Sequence, residues 1–369
     1  MKLTRRGATL GGALLGLGVM GAAKAGVTSR PWGKLPDGRT VTLYTLTNRN
    51  GLVVRIMDLG GVIVGVDAPD RAGKLGDVVL GFDRLEPYLT DSPGFGAVMG
   101  RYANRIAGAR FRLDGRSYQL IPNAGEHNLH GGPQGWDKLL WRARPLDGAA
   151  GPGLELSLQS PDGDQGFPGT VEVVWTYWLT HDNRLTMEAR ATTDAPTVIN
   201  MTNHAYFNLS ADGSSTILDH ELQVDAASYT PKDRTGIPTG EIASVEGTPF
   251  DFRTAKPIGR DIGSAPGGYD HNLIVDPHAQ GELRRVARAR DPKSGRTLEV
   301  WSDQPGVQFY SAHWLKIAGK GGAFYGPEHG FCLEPQHYPD SPNKPQFPTT
   351  VLRPGQTFRW RGEFRFGVA

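Results

Sequence analysis

Residues 358–366 read Phe-Arg-Trp-Arg-Gly-Glu-Phe-Arg-Phe, with an aromatic side chain at nearly every second position. Successive side chains of a β-strand point to opposite faces, so Phe358, Trp360, Phe364 and Phe366 share one face and the charged residues share the other. One apolar face and one charged face are typical of an antiparallel sheet that covers a core on one side. The stretch therefore predicts an antiparallel strand near the carboxyl end of the chain.

The same alternation recurs earlier in the chain, as in Leu154, Leu156 and Leu158 and in Leu185, Met187 and Ala189. Turn-forming sequences separate such runs at Asn50-Gly51, Asp114-Gly115 and His181-Asp182-Asn183. The first two match the type I′ turns of two-residue hairpins. Helical turns are expected only near residues 84–90 and 256–262, and no linker or repeat divides residues 40–366. We expect an all-β fold, a large antiparallel β-sandwich, as a single domain over residues 26–369, with no α-helix longer than about three turns.

The composition narrows the class of protein. The chain has 369 residues and a formal net charge of +2, which argues against a nucleic-acid partner because such proteins carry a marked basic excess. Gly (50) and Pro (27) are frequent and dispersed, as expected for many turns between short strands. The single cysteine, Cys332, excludes an intramolecular disulfide, and we expect it to be a small buried core residue. No metal-binding His/Cys spacing, nucleophile elbow, phosphate-binding loop or dinucleotide fingerprint is found, so we expect neither a metal nor a cofactor.

The amino terminus has the three parts of an export signal. Residues 1–7 are basic, residues 8–23 are uncharged and apolar, and Ala23-Lys24-Ala25 is a small-x-small cleavage site. The pair Arg5-Arg6 before a Gly-rich stretch resembles a twin-arginine signal. We expect a signal peptide over residues 1–25, cleavage after Ala25, and a periplasmic or secreted protein with no stable membrane insertion. An uncleaved anchor is the alternative, although a membrane span needs about 20 apolar residues.

Six short segments combine ionisable residues with Gly, Asn and aromatic residues, which a plain β-core does not require. They are residues 100–106, 128–132, 202–209, 268–272, 306–310 and 333–343. Taken singly, His130 and Asp270 suit turns, and His204 suits a satisfied core histidine. Glu334 is harder to explain, because a carboxylate on the inward face of a strand is costly unless it is paired or catalytic. Together these residue types are the materials of a carbohydrate site.

Segments 100–106, 128–132, 202–209 and 333–343 resemble, in order and spacing, the signature blocks of the aldose 1-epimerase (galactose mutarotase) family. The resemblance extends from about residue 35 to the carboxyl terminus. It implies a β-supersandwich with a sugar cleft on its concave face, and a cofactor-free isomerase that interconverts the α- and β-anomers of free aldohexoses such as glucose and galactose. It implies that His204 is the general acid and Glu334 the general base. The residues that it places around the monosaccharide are Asn104, Arg105, His130, Asp270 and Gln308.

The chemistry of anomer exchange needs an acid and a base. Opening the sugar ring requires that the ring oxygen gain a proton while the C1 hydroxyl loses one, and each positioned group typically contributes ~10²–10⁴-fold. We expect a bell-shaped pH dependence, with the lower limb from the carboxylate of Glu334 and the upper limb from the imidazolium of His204.

Two other classes of protein use similar residues. A glycoside hydrolase needs two carboxylates, and Asp270 could be the second. A non-catalytic carbohydrate-binding β-sandwich would keep the aromatic rings and hydroxyl ligands without a proton pair. A sugar-phosphate epimerase, a closer variant, would need added cationic groups for the phosphate. Catalysed equilibration of a pure anomer separates the first two classes from a mutarotase.

Overall fold

The structure, a computed structural model, describes residues 25–275 and 281–369. The export signal expected over residues 1–25 lies outside the described residues, apart from Ala25. Most of the regular structure consists of β-strands. In chain order they are β1 (Gly26–Lys34), β2 (Thr40–Thr47), β3 (Val53–Met57), β4 (Ile63–Pro69), β5 (Leu75–Asp77), β6 (Val98–Met99), β7 (Arg105–Ile106), β8 (Arg110–Leu113), β9 (Arg116–Gln119), β10 (Asn128–Leu129), β11 (Arg142–Gly148), β12 (Gly151–Ser160), β13 (Val171–Leu179), β14 (Arg184–Thr193), β15 (Thr197–Val198), β16 (Thr202–Asn203), β17 (Glu221–Val224), β18 (Ala226–Tyr229), β19 (Ala243–Ser244), β20 (Lys256–Pro257), β21 (Asp270–Val275), β22 (Arg284–Arg290), β23 (Arg296–Ser302), β24 (Gly306–Tyr310), β25 (Ile317–Ala318), β26 (Phe324–Tyr325), β27 (Cys332–Gln336), β28 (Val351–Leu352) and β29 (Phe358–Val368).

Helical segments are short throughout the described part of the chain. Its one α-helix, α1, covers Glu86–Thr90 and carries a proline in its first turn, where a missing N–H is tolerated. Single 3₁₀ turns occur at Ala107–Ala109, Trp136–Lys138, Asp164–Gly166, Ile258–Arg260, Ile262–Ser264, Lys320–Gly322 and Ser341–Asn343. The helical turns expected near residues 84–90 and 256–262 are therefore confirmed. None of the helices described is both long and apolar enough to cross a membrane.

Three sheets carry the fold, and the strand pairs within them are antiparallel. A nine-stranded sheet has the order β11–β12–β13–β14–β29–β23–β22–β17–β20. One five-stranded sheet has the order β1–β2–β3–β4–β5, and the other has the order β19–β18–β21–β24–β27. One hydrophobic cluster joins all three, since it contains Val54 of β3, Trp175 of β13 and Val307 of β24. The predicted all-β antiparallel sandwich is thus confirmed.

The aromatic and charged stretch forms β29, which lies in the nine-stranded sheet between β14 and β23. Trp360, Phe364 and Phe366 are buried, as the alternation predicts. Glu363 is also buried although it lies on the opposite face. Its carboxylate accepts a hydrogen bond from Nε of Arg365 at 2.7 Å, so the buried charge is paired.

Two of the three expected turns have the expected form. Asp114 and Gly115, with φ of 49° and 78°, join β8 directly to β9, and residues 180–183, which include the expected turn at 181–183, join β13 to β14. Asn50-Gly51 lies between β2 and β3, as expected. The prediction of a two-residue type I′ turn there is wrong. The loop spans residues 48–52 and is closed by the Asn48 side chain, which accepts the N–H of Leu52 at 2.9 Å.

The central strand of the large sheet also supports β27. The indole ring of Trp360 packs against that of Trp175, with 4.7 Å between centroids, and its N–H donates to the carbonyl of Pro335 at 3.0 Å. Pro335 directly follows Glu334 in β27. The hydrophobic core therefore fixes the backbone position of that carboxylate-bearing residue.

Candidate active site

Three neighbouring strands and one strand end supply the central groups of the site. Gln308 in β24 is the cross-strand partner of Glu334 in β27, and Asp270 is the first residue of β21, which pairs with the other side of β24. His204 directly follows β16, and its N–H and C=O bond to the backbone at residues 97 and 96. Regular backbone pairing thus places an imidazole, an amide and two carboxylates in one region.

His204 and Glu334 form a close buried pair. Nε2 of His204 lies 3.6 Å from Oε2 of Glu334, and the two side chains are 7% and 2% exposed. The ring of Tyr206 stacks on the imidazole, with 5.0 Å between centroids and 20° between planes. Oε2 of Glu334 has no hydrogen-bond partner among the described residues. A buried acceptor without a protein partner is costly, so this oxygen is available to a ligand.

Burial moves the two pKa values in opposite directions, because it penalises the charged form of each group. It lowers the pKa of His204 to about 4. It raises the pKa of Glu334 well above 4.5, and the negative charge of Asp270 raises that pKa further. Between these two values the pair holds a single proton, and burial favours the uncharged arrangement, with that proton on the carboxyl group.

Asp270 is held as an anion by its neighbours. Burial raises its pKa, but Lys232 and Arg105 outweigh burial and hold the pKa well below its usual range. Nζ of Lys232 lies 2.8 Å from Oδ2, Nη1 of Arg105 lies 3.9 Å from the same oxygen, and Nε2 of Gln308 donates to Oδ1 at 2.6 Å. Oε1 of Gln308 is buried and has no partner among the described residues.

His130 and Asn104 hold each other in place. The backbone N–H of Asn104 donates to Nδ1 of His130 at 3.1 Å, and the backbone N–H of His130 donates to the carbonyl of Asn104 at 3.0 Å. Burial lowers the pKa of His130 well below 6.5, so the neutral ring carries its hydrogen on Nε2. This ring meets the ring of His204 edge to face, with 5.1 Å between centroids. Oδ1 of Asn104 accepts the N–H of Arg105 at 2.9 Å.

Other residues of the six segments support these groups. Gly131 has a φ of 90°, and a Cβ there would lie 2.2 Å from the carbonyl oxygen of Gly100, so only glycine fits beside His130. The N–H of Asp340 donates to the carbonyl of Arg105 at 2.8 Å. Arg101 is 2% exposed, and its guanidinium donates to backbone carbonyls between residues 160 and 169. Its role is therefore to stabilise this loop, and its side chain does not face a ligand.

Three residues at the site were not expected from the sequence. Lys232 lies in a loop with no recognisable pattern, and only its contact with Asp270 reveals it. Tyr206 falls within segment 202–209 and packs on His204. Cys332 is fully buried as expected, but its Sγ also lies 3.5 Å from Nδ1 of His204. The sequence offered one signal for Cys332: it lies two residues before Glu334 in the same strand, so the two side chains share a face.

One cluster within the described residues has metal-ligand chemistry. His204, Cys332 and Glu334 each place one ligand atom within 4.8 Å of the others. The cluster coincides with the proton pair, and the expectation of no metal stays a prediction.

Comparison with known proteins places the chain in a family. The family model for aldose 1-epimerase matches residues 42–365. The chain is 44% identical over 347 residues to galactose mutarotase from Bos taurus, covering 93% of this chain and 99% of that protein. It is 39% identical over 342 residues to aldose 1-epimerase from Escherichia coli K12, covering 90% and 96%. The crystal structure of an aldose epimerase homologue from C. elegans superposes with a TM-score of 0.82 at 32% identity, covering 89% of this chain and 99% of that one. The order of the blocks, the all-β fold and these similarities agree, and the chain belongs to the aldose 1-epimerase family.

Proposed function

We propose that this protein interconverts the α- and β-anomers of free aldoses, with His204 as general acid and Glu334 as general base. The observation that carries the proposal is the buried pair itself, whose reactive atoms lie 3.6 Å apart. The ring oxygen and the C1 hydroxyl of a cyclic sugar are bonded to one carbon atom, so two proton-exchanging groups must also lie close together to serve both. Oε2 of Glu334, which has no protein partner among the described residues, suits the C1 hydroxyl.

Ring opening transfers two protons, breaks the bond between C1 and the ring oxygen, and forms the C1 carbonyl. Nε2–H of His204 gives its proton to the ring oxygen as the C1–ring-oxygen bond breaks, and Glu334 takes the proton of the C1 hydroxyl as the aldehyde forms. The pair is left as a carboxylic acid and a neutral imidazole, which is the arrangement that burial favours in the empty site. Rotation about C1–C2 followed by the reverse transfers closes the ring on the other face and gives the other anomer.

The remaining groups suit the positioning of sugar hydroxyls. Asp270 supplies a fixed acceptor, Arg105 a cationic donor, and His130 a donor at Nε2. Oε1 of Gln308 is a buried acceptor without a partner among the described residues, and it suits a hydroxyl donor. Oδ1 of Asn104 accepts the backbone N–H of Arg105. The side-chain amide nitrogen of Asn104 is therefore left for the sugar. These contacts would hold the open-chain aldehyde until it recloses.

The arrangement disfavours glycoside hydrolysis. That reaction needs a second carboxylate that acts as nucleophile or base. Asp270, the candidate for that role, has Oδ1 bonded to Gln308 and Oδ2 bonded to Lys232. The charge of Lys232 and the hydrogen bond from Gln308 stabilise the Asp270 anion, so they lower its nucleophilicity and basicity.

Polarimetry tests the proposed activity directly. The purified chain without residues 1–25, added to freshly dissolved pure α-anomers of galactose, glucose, xylose and arabinose, should speed the approach to the equilibrium rotation in proportion to its concentration. The same protein should release no new reducing ends from oligosaccharides. Rates equal to those of buffer with all four sugars would refute the function.

We propose further that the protein is exported through the twin-arginine route and cleaved after Ala25. The first described strand begins at Gly26, so this cleavage would leave every described strand intact. Replacing Arg5 and Arg6 together by lysine keeps the charge but removes the arginine pair, and precursor should then accumulate in the cytoplasm. Lys2→Arg is the matched control and should be exported normally. Unchanged periplasmic fractionation of the double variant would show that the route is wrong.

A further inference from the structure

β27 presents Cys332 and Glu334 on one face, two residues apart, and the imidazole of His204 lies against both. Sγ of Cys332 lies 3.5 Å from Nδ1, and Oε2 of Glu334 lies 3.6 Å from Nε2. Side chains at positions i and i+2 of a strand share a face. One strand therefore contacts both nitrogens of the ring, the thiol at one and the carboxyl group at the other.

The surroundings of the ring keep this orientation. Tyr206 stacks on one face of the imidazole, and His130 meets it edge to face. The backbone N–H of His204 donates to residue 97, and its C=O accepts from residue 96. With the ring held in place, the groups beside the two nitrogens, the thiol at Nδ1 and the carboxyl group of Glu334 at Nε2, decide which nitrogen keeps the hydrogen of the neutral ring.

A thiol is suited to stand beside Nδ1 in this reaction. It is a weak acceptor as well as a weak donor, so it can accept a hydrogen bond from Nδ1–H without carrying a charge. Cys332 is 0% exposed, and burial raises its pKa well above 9, so it stays a neutral thiol. A carboxylate at the same place would stabilise the imidazolium and make its proton harder to transfer.

We propose that Cys332 is a positioning residue that keeps one imidazole hydrogen on Nδ1 of His204, so that Nε2 is the atom that exchanges a proton with the sugar ring oxygen. The inference rests on the proposed function for its consequence in catalysis. In the opening step the Nε2–H bond breaks and an O–H bond forms on the sugar, while Nδ1–H remains bonded to nitrogen and directed at Sγ. On ring closure Nε2 has its lone pair available to take the proton back.

The test compares two substitutions of one position that remove similar volume. Cys332→Ser keeps an acceptor beside Nδ1, and Cys332→Ala removes it. In ¹⁵N NMR spectra at pH 7, with the His204 signals assigned by their loss in His204→Asn, the wild type and Cys332→Ser should show a protonated Nδ1 and an unprotonated Nε2. Cys332→Ala should show a mixture of tautomers. Its kcat should fall about tenfold with little change in KM, which is less than the ~10⁴-fold cost of losing a carboxylate that orients a catalytic histidine.

Three outcomes would overturn the proposal. They are a wild-type His204 with its hydrogen on Nε2, a Cys332→Ala variant with the wild-type tautomer and kcat, and a fall in kcat without a change of tautomer. Val64→Ala, which removes volume from the same hydrophobic cluster on another strand, controls for packing and should leave both measurements unchanged. If Cys332→Ala does not fold, the wild type and Cys332→Ser still decide the tautomer. Absence of mutarotation by the wild type would refute the proposed function while the NMR result stands by itself.

Discussion

Glu334→Gln is expected to lower kcat by about 10²–10⁴-fold while KM changes little. Glutamine keeps the shape of the side chain and one carbonyl acceptor, but it cannot take the proton of the C1 hydroxyl. Among the described residues, Glu334 supplies the one carboxylate within 4.0 Å of Nε2 of His204, and its side chain is 2% exposed. Polarimetric kcat and KM, with sugar binding measured by calorimetry, give the two effects separately.

Glu363→Gln is the matched control for this substitution. Glu363 is also buried, but it lies in the nine-stranded sheet and is bonded to Arg365. Its replacement should lower the free energy of unfolding and leave turnover per folded molecule unchanged. A Glu334→Gln enzyme with near-normal turnover would remove Glu334 from the mechanism.

Glu334→Gln should also change how the free energy of unfolding depends on pH. The pKa of Glu334 is raised in the folded state above its ordinary value of 4.5, so between those two values the folded protein binds more protons than the unfolded chain. Its contribution to the free energy of unfolding is therefore fully present below about pH 4.5 and is lost as pH rises through the folded pKa. Urea unfolding at several pH values should show this loss in the wild type and not in Glu334→Gln.

The fold could be predicted because its signal is local. Alternation along β29 and the turn at Asp114-Gly115 depend only on neighbouring residues, and both have the expected form. The two-residue turn expected at Asn50-Gly51 was wrong because Asn48 and Leu52 close a longer loop, through a backbone hydrogen bond and through the Asn48 side chain. Local patterns thus predict strands well and loop geometry less well.

The site could be predicted only in part because its contacts are distant in sequence. His204 and Glu334 are separated by 130 residues, and only the resemblance to a family linked them before the structure did. Lys232 was missed because a lysine in a polar loop has no distinguishing pattern, although it neutralises Asp270 across 38 residues. Cys332 was expected to be buried, and it is, but composition cannot show that a buried thiol contacts a ring nitrogen.

The pH assignment made from the sequence also changes with the structure. With ordinary pKa values, the lower limb of the pH profile of activity belongs to the carboxylate of Glu334 and the upper limb to the imidazolium of His204. Burial reverses the order, since the pKa of His204 falls to about 4 and that of Glu334 rises. The active pair holds one proton, so kcat/KM should rise through about pH 4 and fall through the raised pKa of Glu334. These limbs are properties of the coupled pair.

His204→Asn is expected to lower turnover by about 10²–10⁴-fold, because asparagine cannot give a proton to the ring oxygen. The alternative is that His204 is only a satisfied core histidine, in which case the substitution would lower stability and leave turnover per folded molecule nearly intact. His220→Asn is the matched control. His220 is a core histidine that is 1% exposed, burial lowers its pKa to about 4, and its Nε2 accepts the N–H of Leu209 at 3.0 Å. It should show the stability loss without the loss of turnover.

The residual activity of His204→Asn provides the sharper test, because its pH dependence should change sign. In the wild type, activity falls as pH rises through the pKa of Glu334, since the pair then loses its only proton. In the variant the carboxylate is the remaining catalytic group and must be ionised to act as a base, so activity should rise with pH through the same region, and the lower limb near pH 4 should disappear. Measuring the melting temperature with the pH profile separates loss of chemistry from loss of fold. A stable variant that keeps the wild-type bell would refute the role of His204 as the acid and direct the search to His130, whose ring lies 5.1 Å away.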